Sequence, residues 1–595
     1  MSFTGDPAPH GGRDTLGEPH PWFESGTGTV PQQREGDAAP TAEYDDWPPH
    51  DDETVALRQI PTEPGFDVPP GPDETVALRQ ISTEPGFVVP PVPEAGWDMD
   101  PSRRRTWVSR CLLGVILLVQ AILSLRLHNT AFQDEALYLY AGHAEIAHLL
   151  HGTPLPIDYN AYFSGSPVLY PVLAAAVDSH FGLFGARVLS LLFMLGTSAL
   201  LYSMTRRMFN ERAALAAAAV FAVAQSTVVL GNFATYDAAA LFLLALTTWI
   251  VVRTDRAPMV AVMLAAPTAV LAVAVKYAAA LYLPTIVLLA VLSAWPHRGF
   301  RSLWRGVLLG VGVAAVGGIA LYYTAVLRGV QTTTTNRAHG TDSLTTVFDF
   351  SAQWSGLVFL TACAGAWSYT RRGRMNESPL SWRLSGPGWR RRLILGLVLC
   401  GSALLAPAYQ AHLQTTQSLF KHVGFGLLFA APMAGVGLTR LVGAHFRYPQ
   451  LGILLWVVLL CLGLAQSQAR YAVWPDSSAL VATLKTHVDD KGHYLATAYE
   501  VPLYYLRDQT SQQQWTSTYN ITYRDKKGRS HSGNDGYATA ISEGYFNLVV
   551  LDGTTTKDTD AFVAAQLDKS AHYRLLAALP FRNGWGSYRI WVRTG

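Results

Sequence analysis

The sequence predicts a polytopic α-helical membrane protein, and three observations carry that prediction. Half of the residues are hydrophobic and only 15% are charged, far from the balance of soluble domains. The apolar residues come in repeated blocks of roughly twenty, the length a helix needs to cross about 30 Å of hydrocarbon. Basic residues recur in every second gap between those blocks, as the bias of Lys and Arg toward cytoplasmic loops requires. The net charge of +2 says little by itself, because its meaning lies in where the basic residues sit. At 595 residues the chain exceeds one ordinary domain, and three portions of it read differently.

Residues 1–105 lack helical or strand periodicity and are rich in Pro, Gly, Asp and Glu. Such a segment cannot bury enough apolar surface to offset its ordering entropy, so it reads as a disordered cytoplasmic tail. It does not read as a cleavable signal peptide, and the first membrane helix is expected to act as the insertion signal. The tail holds a tandem repeat over residues 52–66 and 73–87: Asp52-Glu53-Thr54-Val55-Ala56-Leu57-Arg58-Gln59-Ile60 recurs as Asp73-Glu74-Thr75-Val76-Ala77-Leu78-Arg79-Gln80-Ile81. Thr54 and Thr75 follow acidic residues and precede Leu by three positions, which resembles the phosphothreonine motif read by forkhead-associated domains. Phosphate there would add a charge that arginines pair with. A duplicated linker with no partner is the alternative.

Arg103, Arg104 and Arg105 close the tail, and the run from Trp107 to Leu127 is the first membrane helix. An arginine cluster directly before it predicts a cytoplasmic tail and an outward-facing first loop. Further helices are expected near 183–204, 212–231, 237–253, 258–276, 278–295, 306–327, 353–369, 393–412, 423–441 and 450–469, about eleven with the first. On that alternation Arg206-Arg207, Arg253 to Arg256, His297 to Arg305, Arg371 to Arg392 and Arg440 to Arg447 all fall in cytoplasmic loops. The expected location is the plasma membrane, crossed many times. An odd count of helices puts residues 471–595 outside.

That last portion, 471–595, predicts a small extracytoplasmic α/β domain. Tyr494–Tyr499, Phe546–Leu551 and Tyr588–Val592 read as short strands, Ser477–Val488 and Asp558–Lys569 as amphipathic helices. It shows neither a Gly-rich phosphate loop nor a metal-ligand cluster. Cys111, Cys363, Cys400 and Cys461 lie inside apolar runs and none follows Tyr471, so no disulfide framework is expected there.

Residues 106–470 form the membrane domain, and its first outer loop, 128–183, is too long for a connector. It opens with Phe132-Gln133-Asp134-Glu135-Ala136-Leu137-Tyr138-Leu139-Tyr140, two adjacent carboxylates just past a membrane helix. Glu135–Leu150 has helical spacing and is expected to lie in the interface plane. Pro154, Pro156, Pro167 and Pro171 interrupt the remainder of the loop, and a short helix is expected near Val172–His180.

Few polar residues stand at outer helix ends. Asp134 and Glu135 follow the first helix, Arg187 opens the second, Asp237 the fourth, and Lys421-His422 the tenth, while Lys276 lies between the fifth and sixth. Ionisable residues at the apolar boundary are costly and therefore candidate functional groups. The set has an acidic half (Asp134, Glu135, Asp237) and a basic half (Lys276, Lys421, His422, Arg187). A carboxylate can take a proton from an attacking hydroxyl, and cations can neutralise a departing phosphate. Both halves at a lipid surface suit transfer of a group from a lipid phosphate to a hydroxyl. Each residue also has a plainer reading: carboxylates cap helix N-termini, and Lys, Arg and His reach for lipid headgroups.

A first membrane helix, then Asp134-Glu135-x-x-Tyr138 in a long outer loop, then Tyr236-Asp237 at a later outer helix end, resembles GT-C glycosyltransferases of the family 39 type. That group includes protein O-mannosyltransferases and the lipid A aminoarabinose transferase. Gln417-Ser418-Leu419-Phe420-Lys421-His422-Val423 and the following Gly424-Phe425-Gly426-Leu427 are also similar to a stretch of bacterial members. The resemblance implies a GT-C-like membrane domain over roughly residues 107–470, a polyprenyl-phosphate sugar as donor and inverting transfer on the outer side. It implies Asp134 as general base, Glu135 as its orienting neighbour, Asp237 as a second acidic position, and Lys276, Lys421, His422 and Arg187 at the donor phosphate. The acceptor is a hydroxyl on a protein, a lipid or a wall glycan.

Two further readings remain open from sequence. One is a transporter or flippase of a lipid-linked glycan, although charges at one face and no repeat between halves fit it less well. The other is a non-catalytic scaffold with a glycan-binding outer domain. Membrane lipids are expected partners and nucleic acid is not. No cofactor is identified, and two neighbouring carboxylates leave room for a divalent cation.

Overall fold

The structure, a computed structural model, describes residues 103–595 except 325, 332, 334–338, 373–387, 444–446, 582–585 and 595. The repeat-bearing tail, with Thr54 and Thr75, lies outside the described residues.

The membrane portion is a bundle of apolar helices. Among the described residues eight helical runs are long and apolar enough to cross a bilayer: Thr106–Ser124, Tyr170–Met208, Tyr236–Arg253, Tyr277–Tyr323, Leu344–Arg371, Trp389–Leu413, Leu419–Val442 and Pro449–Ala472. Eight such runs stand against the eleven or so helices expected from sequence, because a run counts once where a short turn joins two helices. The difference lies in helix continuity rather than in the apolar pattern. The expected helices at 278–295 and 306–327 fall in one run, because a 3-10 turn at Gly299–Ser302 joins Leu283–Arg298 to Leu303–Tyr323. The one expected at 212–231 divides at Ala224, whose extended backbone separates Glu211–Val223 from Gln225–Leu230. The one at 258–276 begins as a 3-10 helix, and Met259–Val275 is too short to qualify. The short helix expected near Val172–His180 runs into the next span, with the change of direction at Gly182, where φ is 64°. Only glycine adopts that conformation without a Cβ penalty.

Leu419–Val442 is the central helix, packed against Leu357–Arg372, Trp389–Leu413 and Glu211–Val223. Its position depends on small residues. A Cβ on Gly435 would stand 2.2 Å from the Ala213 carbonyl oxygen, and one on Gly437 2.4 Å from that of Thr361. Such backbone-to-backbone approach is how helices associate where lipid removes the usual hydrophobic drive.

The basic loops collect at one end of the bundle. Arg207 pairs with Asp255, Arg298 donates to the Asp255 and Ala257 carbonyls, and Arg305 donates to those of Val251, Thr254 and Ala290. Arg391 reaches the Leu292 carbonyl. These guanidinium groups satisfy the orphan carbonyls of neighbouring helix ends, where the helix dipole favours a cation.

The opposite end carries the first loop and a sheet domain. Five strands order as β2 (Trp515–Ser517), β1 (Tyr494–Ala496), β5 (Leu548–Leu551), β7 (Ser587–Arg593) and β6 (Tyr573–Pro580). β1 pairs in parallel with β2 and β5, whereas β7 pairs antiparallel with β5 and β6. A separate hairpin joins β3 (Thr522–Arg524) to β4 (Ser530–Ser532). The strands expected from sequence at the first, fifth and seventh positions are present, each shifted by up to a few residues. β2, β3, β4 and β6 carry no clear alternation in sequence.

The sheet domain is fastened to the first loop by specific contacts. Trp474 stacks on Phe233 and meets Phe132 edge-on. The Tyr505 hydroxyl accepts from the Ala131 amide at 2.8 Å, and the Tyr159 hydroxyl donates to Gln512 at 3.0 Å. Tyr504 donates to Asp178 at 2.6 Å, and the other oxygen of that carboxylate holds His143 at 2.7 Å. Asp134–His151 thus lies beneath protein rather than flat at an open interface: every residue from Glu135 to Gly142 is buried. Burial arises because Tyr170–Met208 packs on one side and the short helix Glu500–Tyr505 on another.

Candidate functional site

Asp134 is the first residue of the helix Asp134–His151, and the backbone before it is bent sharply. Gln133 has a φ of 45° and Gln414, in the turn before the central helix, a φ of 50°; no other non-glycine residue among those described has a positive φ. Such backbone costs about 1–3 kcal/mol and persists where the surroundings demand it. The two bends aim two segments at each other: Asp134 Oδ2 lies 2.6 Å from Lys421 Nζ.

Lys421 sits in the first turn of the central helix and is buried. It interacts electrostatically with Asp237 as well as with Asp134, and Asp237 in turn with Lys276 and His422. Asp237 is one residue inside the helix Tyr236–Arg253 and fully enclosed. Its Oδ1 lies 3.2 Å from Lys276 Nζ, an ion pair without the alignment of a hydrogen bond. Lys276 follows the helix Ala265–Val275 in extended backbone. That turn is pinned by the first loop: the Ser166 amide donates to the Ala274 carbonyl and the Tyr277 amide to that of Ser164. A Cβ at Gly165 would lie 2.0 Å from the Val275 carbonyl oxygen, so the approach requires glycine.

An aromatic and hydroxyl relay joins these charges. Lys276 Nζ stands 4.5 Å above the Tyr236 ring and 3.3 Å from Ser164 Oγ. Tyr236 stacks on Tyr138 with centroids 4.3 Å apart, its hydroxyl 2.6 Å from that of Tyr138 and 2.7 Å from Ser164 Oγ. His422 Nδ1 lies 3.0 Å from the Gln410 amide nitrogen. Ser164 and Gln410 are site residues that sequence reading missed. Nothing local marks them, because their relevance comes from chain segments distant in sequence or from contacts made only on folding.

The structure turns the adjacent carboxylates of Asp134 and Glu135 to different partners. Glu135 is fully buried and takes a fork of two bonds from Arg187, at 2.9 and 2.7 Å, plus the Ala234 amide at 3.0 Å. Arg187 spends its remaining donors on the carbonyls of Leu127, Asn129 and Thr130. Arg187 and Glu135 therefore form a closed brace behind Asp134, whereas Asp134, Asp237, Lys276, Lys421 and His422 form one group.

Two properties of that group matter chemically. The first is access: the Asp134 side chain is 47% exposed, against 10% for Lys421, 7% for Lys276 and none for Asp237. The second is unspent hydrogen-bonding capacity. Both Asp237 oxygens, Thr235 Oγ1, the Tyr277 hydroxyl and Gln410 Oε1 are buried with no hydrogen-bond partner. Buried polar atoms are nearly always satisfied, and each orphan costs on the order of 1–3 kcal/mol until water or ligand reaches it. Among the described residues no three His, Cys, Asp or Glu side chains assemble in a metal-holding group.

Comparison with known proteins agrees with this architecture. Residues 167–323 match the family described as dolichyl-phosphate-mannose-protein mannosyltransferase. No curated protein sequence matches the chain. Among solved structures, ArnT from Cupriavidus metallidurans in the apo state aligns with a TM-score of 0.51 at 15% identity, over 83% of this chain and 99% of that one. The archaeal oligosaccharyltransferase AglB from Archaeoglobus fulgidus aligns with a TM-score of 0.50 at 12% identity, over 82% of this chain and 74% of that one. The matched segment spans the second helical run through Tyr323, and the shared fold extends over four-fifths of the chain. The family match is confined to residues 167–323, and the likeness to ArnT and AglB shows a shared fold, the GT-C-like architecture expected from sequence.

Proposed function

We propose that this chain transfers a sugar from a polyprenyl-phosphate donor to a hydroxyl acceptor, on the extracytoplasmic side and with inversion, Asp134 acting as general base. One observation carries the proposal: the accessible carboxylate of Asp134 lies 2.6 Å from the buried ammonium of Lys421, which also faces the Asp237–Lys276 pair. A base and a phosphate-neutralising group are thus adjacent. Support for the donor comes from AglB, whose structure is a complex with a dolichol-phosphate and an inhibitory peptide. Support for the side comes from the basic loops, which gather at the end away from the sheet domain, as cytoplasmic loops do.

In this reading the donor phosphate lies against Lys421, Lys276 and His422. An ammonium has three donors, so Lys421 bonds the phosphate while keeping Asp134 in place. The acceptor hydroxyl approaches the anomeric carbon opposite the phosphate and passes its proton to Asp134. The C–O bond to phosphate breaks as the new glycosidic bond forms, and the phosphate leaves as an anion that needs no strong acid. Asp237 keeps Lys276 charged and positioned, and the orphan atoms of Tyr277 and Gln410 find partners in the bound donor. Glu135 and Arg187 orient the turn that presents Asp134. A bound phosphate draws on Lys421 and so strengthens Asp134 as a base, linking donor loading to activation. A divalent cation is not required by this scheme, because two lysines supply the positive charge.

The test is release of polyprenyl phosphate by the purified full chain in lipid nanodiscs, given its polyprenyl-phosphate sugar and a cell-envelope acceptor fraction. Asp134→Asn is expected to lower transfer by at least a hundredfold while undecaprenyl phosphate still binds. Transfer within fivefold of the unsubstituted protein would remove Asp134 as the base.

A further inference from the structure

Near Asp134 the first loop and the sheet domain bring a second group of side chains together, the helix Glu500–Tyr505 packing on Asp134–His151. Glu500 begins the short helix Glu500–Tyr505, is only 9% exposed, and interacts electrostatically with Asp134 and Asp552. Among the described residues it has no cationic partner, and its hydrogen bond comes from its own backbone amide. A buried carboxyl in that condition is costly unless something else donates to it. Asp552 does not share the deficit, since Thr554 and Thr555 fill its oxygens. Around Glu500 stand tyrosines that face outward: Tyr162 is 55% and Tyr519 58% exposed, and both interact with Glu500. Tyr162 is held by a side-chain hydrogen bond to Tyr499, the residue before Glu500. First loop and sheet domain therefore contribute side chains to one neighbourhood that includes the exposed carboxylate of Asp134.

We infer that Glu500, with Tyr162 and Tyr519, forms an acceptor-positioning subsite that takes a neutral glycan and presents one of its hydroxyls to Asp134. This rests on the reading of Asp134 as the base. Three features select the ligand class. A carboxyl without a cation is satisfied by O–H donors, and a glycan brings several per residue where a peptide brings few. Exposed tyrosine faces offer amphipathic platforms for the C–H faces of sugar rings, with their hydroxyls free to bond. Asp134 and Asp552 both act electrostatically on Glu500, and this gathering of carboxyl groups disfavours a phosphorylated or otherwise anionic acceptor by like-charge repulsion. Burial, and then the nearby carboxylates Asp134 and Asp552, push the Glu500 carboxyl up to about 7, so near neutrality it both donates and accepts hydrogen bonds, as a hydroxyl ligand needs.

The experiment uses the full chain in nanodiscs and saturation-transfer NMR. The probes are a set of neutral manno-, gluco- and galacto-oligosaccharides, the same set phosphorylated, and a Ser/Thr-rich peptide. The unsubstituted protein and Asp134→Asn are expected to bind a neutral member alike, whereas Glu500→Ala and Tyr519→Ala bind it at least tenfold more weakly. Glu500→Gln, which keeps shape and hydrogen bonding, is expected to recover binding to within about threefold. Undecaprenyl phosphate binding, measured in parallel, should be the same in the unsubstituted protein and in the Glu500 and Tyr519 variants. Preference for the phosphorylated set or the peptide, no neutral member bound, or equal loss of undecaprenyl phosphate binding in Glu500→Ala would each overturn the inference. Because binding is read without turnover, a failure of Asp134 as base appears separately, as retained transfer in Asp134→Asn.

Discussion

At the scale of single residues, two lysines near one another behave differently because of what surrounds them. Lys421 bridges the accessible Asp134 and the enclosed Asp237, whereas Lys276 is confined by Asp237, Ser164 and the Tyr236 ring. On the proposed function, replacing Lys421 by Ala is expected to raise the apparent KM for the polyprenyl-phosphate donor at least tenfold and to lower kcat, since phosphate neutralisation would be lost in ground and transition states. Steady-state kinetics at varied donor measures both. Glu135 and Arg187 test a different point. Breaking a buried ion pair leaves an uncompensated charge and costs about 3–5 kcal/mol, whereas replacing both members by apolar residues is far better tolerated. Glu135→Leu or Arg187→Met alone should lower the melting temperature in detergent markedly, and the double substitution should recover part of the loss. Equal, additive losses would show that the pair is not a brace. Arg187→Lys should not rescue, because lysine cannot make the two-bond fork.

Glu500 makes a pH prediction with a definite sign. Its carboxyl is raised from 4.5 to about 7. A carboxyl raised on folding contributes stability that is full below the unfolded value and is lost as pH climbs through the folded one. Between pH 4.5 and 8 that loss amounts to about 3 kcal/mol. Glu500→Gln stays neutral throughout, so its melting temperature should match that of the unsubstituted protein near pH 4.5 and exceed it at pH 8. Parallel curves for the two proteins across that range would refute the assignment.

At the scale of elements, the central helix and the turns before it decide the site. The helix Leu419–Val442 carries Lys421 and His422 into the bundle only because Gly435 and Gly437 let it touch two neighbouring backbones. Gly435→Val would place a Cβ 2.2 Å from a carbonyl oxygen, an overpacking that typically costs about 1–3 kcal/mol or more. Lower folded yield and loss of activity are expected together, against little effect from Gly401→Val, which has open space. Element existence was legible in sequence to a large degree, because apolar length and basic loops report directly on the bilayer. Element continuity was not. Whether 278–295 and 306–327 are two spans or one run depends on a 3-10 turn at Gly299–Ser302, and hydropathy averages over such turns. The strands Trp515–Ser517 and Thr522–Arg524 escaped for a related reason: three residues are too few for an alternation to register.

At the scale of the whole molecule, the chain brings its charged groups together at the bundle end that carries the sheet domain. The acidic members come from the first loop and the helix Tyr236–Arg253, the basic members from the turn after Val275 and the start of the central helix. The sheet domain is fastened through Tyr504, Tyr505 and Gln512 to the first loop, and its short helix Glu500–Tyr505 packs on the helix that Asp134 opens.

The sequence by itself determined the membrane architecture, the apolar cost of each ionisable residue and hence the candidates Asp134, Glu135, Asp237, Lys276, Lys421, His422 and Arg187. Those are properties of composition along the chain, and the bilayer imposes them locally. Tertiary structure alone decided how the candidates divide. It closed Glu135 and Arg187 on each other, set Lys421 against Asp134, added Ser164 and Gln410, and brought in Glu500 from the far end of the chain. The physical reason is range: hydrophobicity is read residue by residue, whereas a hydrogen bond or ion pair exists only between two groups within about 3 Å, and their separation in sequence carries no trace of it.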